Sequence, residues 1–210
     1  MKVNRTRSEF PAPDRIETWE SVVPDEWILR KLLESENLNV LMITGRSWDS
    51  VVKSAFSFSI IRTYCLCYDR NIHLLILGQN QQQLVRHRHE AESVMRFYGI
   101  SDLVKYVFNP VKEEILAYYL ACDAMLCLEE SEDMEVPILL AQYFHLPILG
   151  QENSFTSEYV GRNQLLLSDD PAAYAAGLHL IRHNQDTARF LGNTGRAHYD
   201  FVKSKQYRRK

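Results

Sequence analysis

The chain lacks most of the signatures that announce a chemistry outright. It has no G-x-x-x-x-G-K-[ST] stretch and no G-x-G-x-x-G turn, so two glycine-built phosphate cradles are absent. Glycine itself is scarce, at 8 of 210 residues. There is no H-E-x-x-H helix for zinc and no G-x-S-x-G elbow for a serine nucleophile. The four cysteines, Cys65, Cys67, Cys122 and Cys127, form no C-x-x-C pair and lie in apolar segments. They read as buried free thiols in a reducing compartment. No apolar run approaches the roughly 20 residues that span a bilayer. The opening MKVNRTRSEFPAPDR has no apolar core, which is not the pattern of a signal peptide. A cytoplasmic protein is the expectation, one that leaves room for peripheral membrane contact. A net charge of −3 carries no nucleic-acid footprint. Repeats and low-complexity segments are missing as well.

What is present is an alternation of short apolar runs with helical patterns. Residues 1 to about 23 are polar, with Pro11, Pro13 and Pro24, and read as an arm or linker on which Phe10 and Trp19 are the docking candidates. Pro24-Asp25-Glu26 opens a short helix with Trp27, Ile28, Leu32 and Leu33 on its apolar side. Strands are expected at 38–43, 72–77, 104–108, 124–128, 148–150 and 164–167. Helices are expected at 49–68, 81–98, 112–120, after Pro137, 154–160, 171–183 and 186–202. The helix at 81–98 offers Leu84, Val94, Met95 and Phe97 as inward residues, and Gly99 ends it. Six strands alternating with helices predict an α/β, Rossmann-like, doubly wound parallel sheet with helices on both faces. The expected organisation is an arm with a short helix over 1–36, a Rossmann-like domain over 37–202 and a basic tail over 203–210.

The stretch from Cys122 to Gly150, CDAMLCLEESEDMEVPILLAQYFHLPILG, is the most informative. A continuous apolar run, 124–128, suits a strand covered on both faces. Five acids follow within seven residues, Glu129, Glu130, Glu132, Asp133 and Glu135, and then Pro137 in the first turn of a helix. In a parallel sheet with helical crossovers, ligands sit at the loops leaving the strand C-termini. There the positive end of the next helix faces them. An acidic loop at that place suits sugar hydroxyls or a cation better than a phosphate. Arg46, after the first buried strand, is the candidate anion clamp, because a guanidinium grips a pyrophosphate bidentately. Lys53, one or two turns into the following helix, adds a point charge. His179 and His183 stand four apart on one helix, a spacing that suits two metal ligands, but no third ligand is evident and no metal site is expected.

This stretch resembles the C-terminal, donor-binding lobe of the retaining glycosyltransferases built from two Rossmann-like lobes (the GT-B type). The family pattern runs A-D-x-x-x-x-P-S-x-x-E-G-F-G-x-P-x-x-E-A-M-A-x-G-x-P-V. Without a gap, Cys122-Asp123 falls on A-D, Glu132 on the first glutamate, Pro137 on the first of the helix prolines, Ala141 on the alanine and Pro147 on the last proline. Gly45-Arg46 matches the family's G-R after the first strand, Lys53 is nearest to its lysine, Glu158 falls on its proline-glutamate, and Asp170-Pro171 matches a D-P that opens a helix. The departures are Leu128-Glu129 for Pro-Ser, Asp133 and Glu135 for two glycines, and Leu140 for the glutamate that grips the nucleotide ribose. The resemblance covers about Asn39 to Tyr199 and leaves out the family's acceptor-binding N-terminal lobe.

The resemblance implies a lobe that binds a nucleoside diphosphate sugar as donor substrate, with no further cofactor. A hexose would pass to an acceptor with retention, in glycan synthesis. Gly45, Arg46 and Lys53 would hold the pyrophosphate, Glu158 would help hold the donor, and Glu132 would face the sugar as the catalytic carboxylate. The partner implied is a separate acceptor-binding chain or lobe. The alternative is a degenerate lobe that has lost catalysis and serves as a protein-binding or assembly module.

Overall fold

The computed structural model describes residues 13–44, 51–78, 81–161 and 164–207. Six strands form one all-parallel sheet in the order β3-β2-β1-β4-β5-β6. They are β1 (Leu38–Thr44), β2 (Ile72–Gly78), β3 (Val104–Phe108), β4 (Ala124–Cys127), β5 (Ile148–Gln151) and β6 (Leu165–Leu167). Every neighbouring pair runs parallel, with β1 between β2 (Leu38↔Ile72 to Thr44↔Gly78) and β4 (Val40↔Ala124 to Met42↔Leu126). The apolar runs are continuous because both faces of the sheet are covered. All seven residues of β1 are buried.

The helices divide between two cores. Leu41 and Ile43 of β1 face the first core. It holds residues of α1 (Glu26–Leu33), α4 (Lys112–Ala121) and α5 (Glu135–Tyr143). Leu38, Val40 and Met42 face the second. It holds residues of α2 (Val51–Cys67), α3 (Gln81–Tyr98) and α7 (Pro171–His183). α6 (Ser154–Tyr159) follows β5, and α8 (Gln185–Tyr207) closes the chain. α2 is apolar along most of its length because it is wedged against α7, α3 and β2, with Phe58, Ile60, Ile61 and Tyr64 fully buried.

Several expectations change. Residues 13–21 are a packed element: Pro13–Ser21 is a 3₁₀ helix lying on α5, with Ile16 and Trp19 buried in the first core. Phe10 and the start of the helix expected at 49–68 lie outside the described residues. In α1 the N-cap is Asp25, whose carboxylate accepts the Ile28 N–H. Ile28 and Leu32, four apart, are the buried stripe, whereas Trp27 is 69% exposed and Leu33 is exposed as well. One residue is a 100° step, so an eight-residue helix cannot turn all four toward one neighbour. Phe97 fails likewise: it stands two residues from buried Met95 and is 81% exposed. The side chain of Leu84 lies outside the described residues. Cys122 and Cys127 are buried, but Cys65 is half-buried and Cys67 exposed at the end of α2; all four are free thiols. α8 runs five residues beyond Val202, through Lys203 and Lys205 of the basic stretch.

The edge where the strands begin is held by structural bonds. The Asp123 carboxylate accepts the Asn39 N–H at 2.7 Å, while the Asp123 N–H donates to the Asn39 carbonyl at 2.8 Å. This pair pins β4 to β1. Arg182, at the end of α7, donates to Asp69, to the Tyr64 hydroxyl and to the carbonyls of Asn71 and Glu36.

Candidate functional site

The helices after β1 and β4 leave in opposite directions, α2 into the second core and α5 into the first. Those two strands are neighbours, so the sheet's winding reverses between their C-terminal ends, the place where open parallel sheets hold ligands in a crevice. Residues 45–50 follow β1 in sequence, and residues 128–134 lie between β4 and α5. Sequence reading placed Gly45-Arg46 after β1 and Glu132 after β4, and the topology makes those two strands neighbours.

Gly45 and Arg46 lie outside the described residues, between Thr44 and Val51. Lys53 is in the first turn of α2, and Glu132 opens a short 3₁₀ turn, Glu132–Met134, that leads into α5; the side chains of both lie outside the described residues. Thr44 closes β1 with its hydroxyl donating to the Leu77 carbonyl. Glu158 sits one strand away, on α6. Its side chain is exposed, and its backbone carbonyl accepts from His198 Nε2 of α8 at 3.0 Å.

Two features of the site escaped the sequence. Glu129 is only 5% exposed, whereas Glu130 and Asp133 in the same loop are exposed. The one sequence signal was its place on the family's serine. Asn153 is the second. Its side chain caps α6 by accepting the Thr156 N–H at 2.8 Å and also donates to the Glu130 carboxylate at 2.9 Å. It ties the acidic loop to the next strand's helix, and the N-x-x-T spacing was the readable signal.

Behind the crevice, α5 is buried on nearly every side. Leu140 has no exposed surface, and the Tyr119 hydroxyl donates to the Pro137 carbonyl at 3.1 Å. Burial holds the Tyr119 hydroxyl well above the ordinary phenol range. At the far edge, the His179 ring stacks on Tyr68 at 3.9 Å and lies 4.3 Å from the His183 ring. Among the described residues no three His, Cys, Asp or Glu side chains gather as metal ligands.

No family model and no curated protein matches this chain. Solved structures do. The C-terminal domain of the group 1 glycosyl transferase LpcC from Francisella tularensis superposes with a TM-score of 0.67 at 16% identity, over 90% of this chain and 97% of that domain. Anabaena HepE, solved with UDP and glucose, gives a TM-score of 0.67 at 14% identity over 86% of this chain. This chain spans only 49% of HepE. A UDP-N-acetylglucosamine 2-epimerase described from Listeria monocytogenes gives 0.62 at 11% identity, over 86% of this chain and 46% of that one. The fold is thus that of the C-terminal lobe of GT-B glycosyltransferases.

Proposed function

We propose that this lobe binds a nucleoside diphosphate sugar in the switch-point crevice and serves as the donor half of a sugar transferase. One observation carries the reading: β1, which Gly45-Arg46 follow in sequence, and β4, which Glu132 follows, are adjacent parallel strands whose helices diverge to opposite faces. The likeness to lobes such as that of HepE, solved with UDP and glucose, supports it. Arg46 and Lys53 neutralise the pyrophosphate, which stabilises the departing nucleotide diphosphate. Glu132 accepts hydrogen bonds from the sugar hydroxyls and faces the positive charge that develops at the anomeric carbon. Glu158 steadies the donor from α6. The hexose leaves with retention toward an acceptor held by a second lobe, because the reaction needs both partners fixed in one geometry.

A thermal-shift series with UDP, GDP, ADP and their sugar conjugates tests this, on the wild type and on Arg46→Ala. Saturable stabilisation by one diphosphate, lost in the variant, is the expected result and names the base. No stabilisation by any of them at millimolar concentration overturns the reading.

A second reading rests on Leu140, fully buried where the family has its ribose glutamate, and on Glu129, a buried carboxylate just after β4. Loss of a charged hydrogen bond costs about 1.5–3 kcal/mol, and an acid beside a pyrophosphate adds repulsion. In this reading the lobe is a degenerate binding module, and the crevice binds no nucleotide.

A further inference from the structure

Two phenylalanines stand on the outer face of α8. A helix laid on a core turns its apolar residues inward and its polar ones outward. α8 does the first with Leu191, Gly192, Gly195 and Tyr199, all buried. It breaks the second: Phe190 is 60% exposed and Phe201 is 53% exposed. Eleven steps of 100° bring the helix back to within about 20° of its starting direction, so the two positions share one row about 16 Å long. Ala197, exposed as well, lies between them in that row. Phe201 keeps a ring contact with His198, at 6.4 Å between centroids, and still presents half of its surface. Apolar residues scattered singly on a surface are ordinary. These two are aligned, and they point to one end of the helix.

That end is cationic. Residues 203–210 hold Lys203, Lys205, Arg208, Arg209 and Lys210 and no acid, in a chain whose net charge is −3. α8 runs into this stretch, and position 205 stands one turn beyond Phe201. Both acids of α8 face an arginine of the same helix: Asp186 has Arg189 at 4.0 Å, and Asp200 has Arg196 at 3.4 Å. The charge left over is positive and gathered where the row ends. An apolar row with a basic end fits an anionic lipid surface. Phenyl rings enter the boundary between headgroups and acyl chains, and the lysines and arginines meet the headgroup phosphates. A nucleic-acid backbone would engage the cations and leave both rings in water.

We propose that the outer face of α8, with the basic stretch 203–210, docks this protein on an anionic lipid surface, the helix lying along the headgroups. The docking face is independent of the crevice and stands whether or not a nucleotide binds there.

The test is co-sedimentation of the 210-residue protein with two kinds of vesicle at about 0.15 M salt. One is phosphatidylcholine alone; the other carries roughly a quarter of phosphatidylglycerol. Saturable partition onto the anionic vesicles and not onto the neutral ones is the expected result. A basic residue at an anionic surface adds about fivefold. Lys205→Gln combined with Arg208→Gln and Arg209→Gln should therefore lower the partition by about a hundredfold. Phe190→Ser and Phe201→Ser should each lower it by about threefold or more, with the melting temperature unchanged. No partition onto anionic vesicles, or equal partition onto both kinds, overturns the proposal. So does binding that survives the triple variant, or that both phenylalanine variants keep in full, since the cations alone then account for it. Tighter binding to a short DNA duplex or a single-stranded RNA than to the vesicles gives the basic stretch to a nucleic acid. A lipid-free dimer that Phe201→Ser breaks gives the row to a second copy. Either result overturns the lipid assignment.

Discussion

Single residues in this molecule are decided by what stands opposite them. Gly192 on α8 faces the turn after α5, where a methyl group would overlap the His145 carbonyl oxygen. His145 holds φ at +59°, at the place where the family pattern has glycine. Alanine at 192 gains about 1 kcal/mol of helix propensity, but it meets backbone that cannot swing aside, and overpacking costs about 1–3 kcal/mol. Gly192→Ala is therefore expected to lower stability in urea titration. Gly177→Ala, whose methyl would stand 2.9 Å from the end of a leucine side chain, should stay within about 1 kcal/mol of wild type. Asp123 decides a pH response. Desolvation raises its carboxyl above the ordinary carboxylate value, against the opposing pull of the Asn39 N–H and of Arg182. A carboxyl raised on folding takes its proton in the folded chain first, so its contribution grows as pH falls toward the unfolded value and is lost as pH rises through the folded one. In Asp123→Asn this response disappears. The melting temperature of wild type minus that of the variant should therefore rise on acidification from pH 7 through the carboxylate range.

Elements show where sequence reading reaches and where it stops. The strands were legible because a doubly covered sheet demands unbroken apolar runs, as in LNVLMIT of β1 and IHLLILG of β2. The helix ends at Asp25, Gly99 and Asp170 were legible because caps are local chemistry, and Gly99 does take φ +67°. The 3₁₀ helix at Pro13–Ser21 was not. Its burial rests on Ile16 and Trp19, three residues apart within a polar, proline-bearing segment, and no periodic stripe marks it. The site divided in the same way. The strand pattern gave its place after β1 and β4, whereas nothing within the run of five acids marks Glu129 as the buried one. α8 is held by a distant contact. Gln164 accepts the Ile148 N–H through Oε1 and donates through Nε2 to the Leu191 carbonyl and the Thr194 hydroxyl. Gln164→Ala would strand a buried donor, the Ile148 N–H, at about 1–3 kcal/mol, while the Leu191 carbonyl keeps the Thr194 hydroxyl. Amide exchange should speed up along α8 in that variant before it does in β1 and β2. Equal acceleration everywhere would place the loss in the whole fold instead.

At the scale of the whole molecule, ligand and fold are linked. No helix among the described residues is long and apolar enough to cross a membrane. If the crevice holds a diphosphate, a hundredfold excess over Kd adds about 2.7 kcal/mol to stability. For a chain of this length that raises Tm by roughly 5–10 °C; a rise that fails to saturate would indicate weak association at many places. The strand order carries one further consequence. β1 is central, yet its partner β4 lies far along the chain: the Asn39–Asp123 bond joins residues 84 apart. During synthesis at about 5–20 residues per second, β1 waits roughly 4–17 s with one apolar edge uncovered. For that interval the nascent chain presents an open strand of the kind that recruits chaperones or sticks to its neighbours. The half carrying β1, β2 and β3 has to survive on the ribosome until its other half arrives.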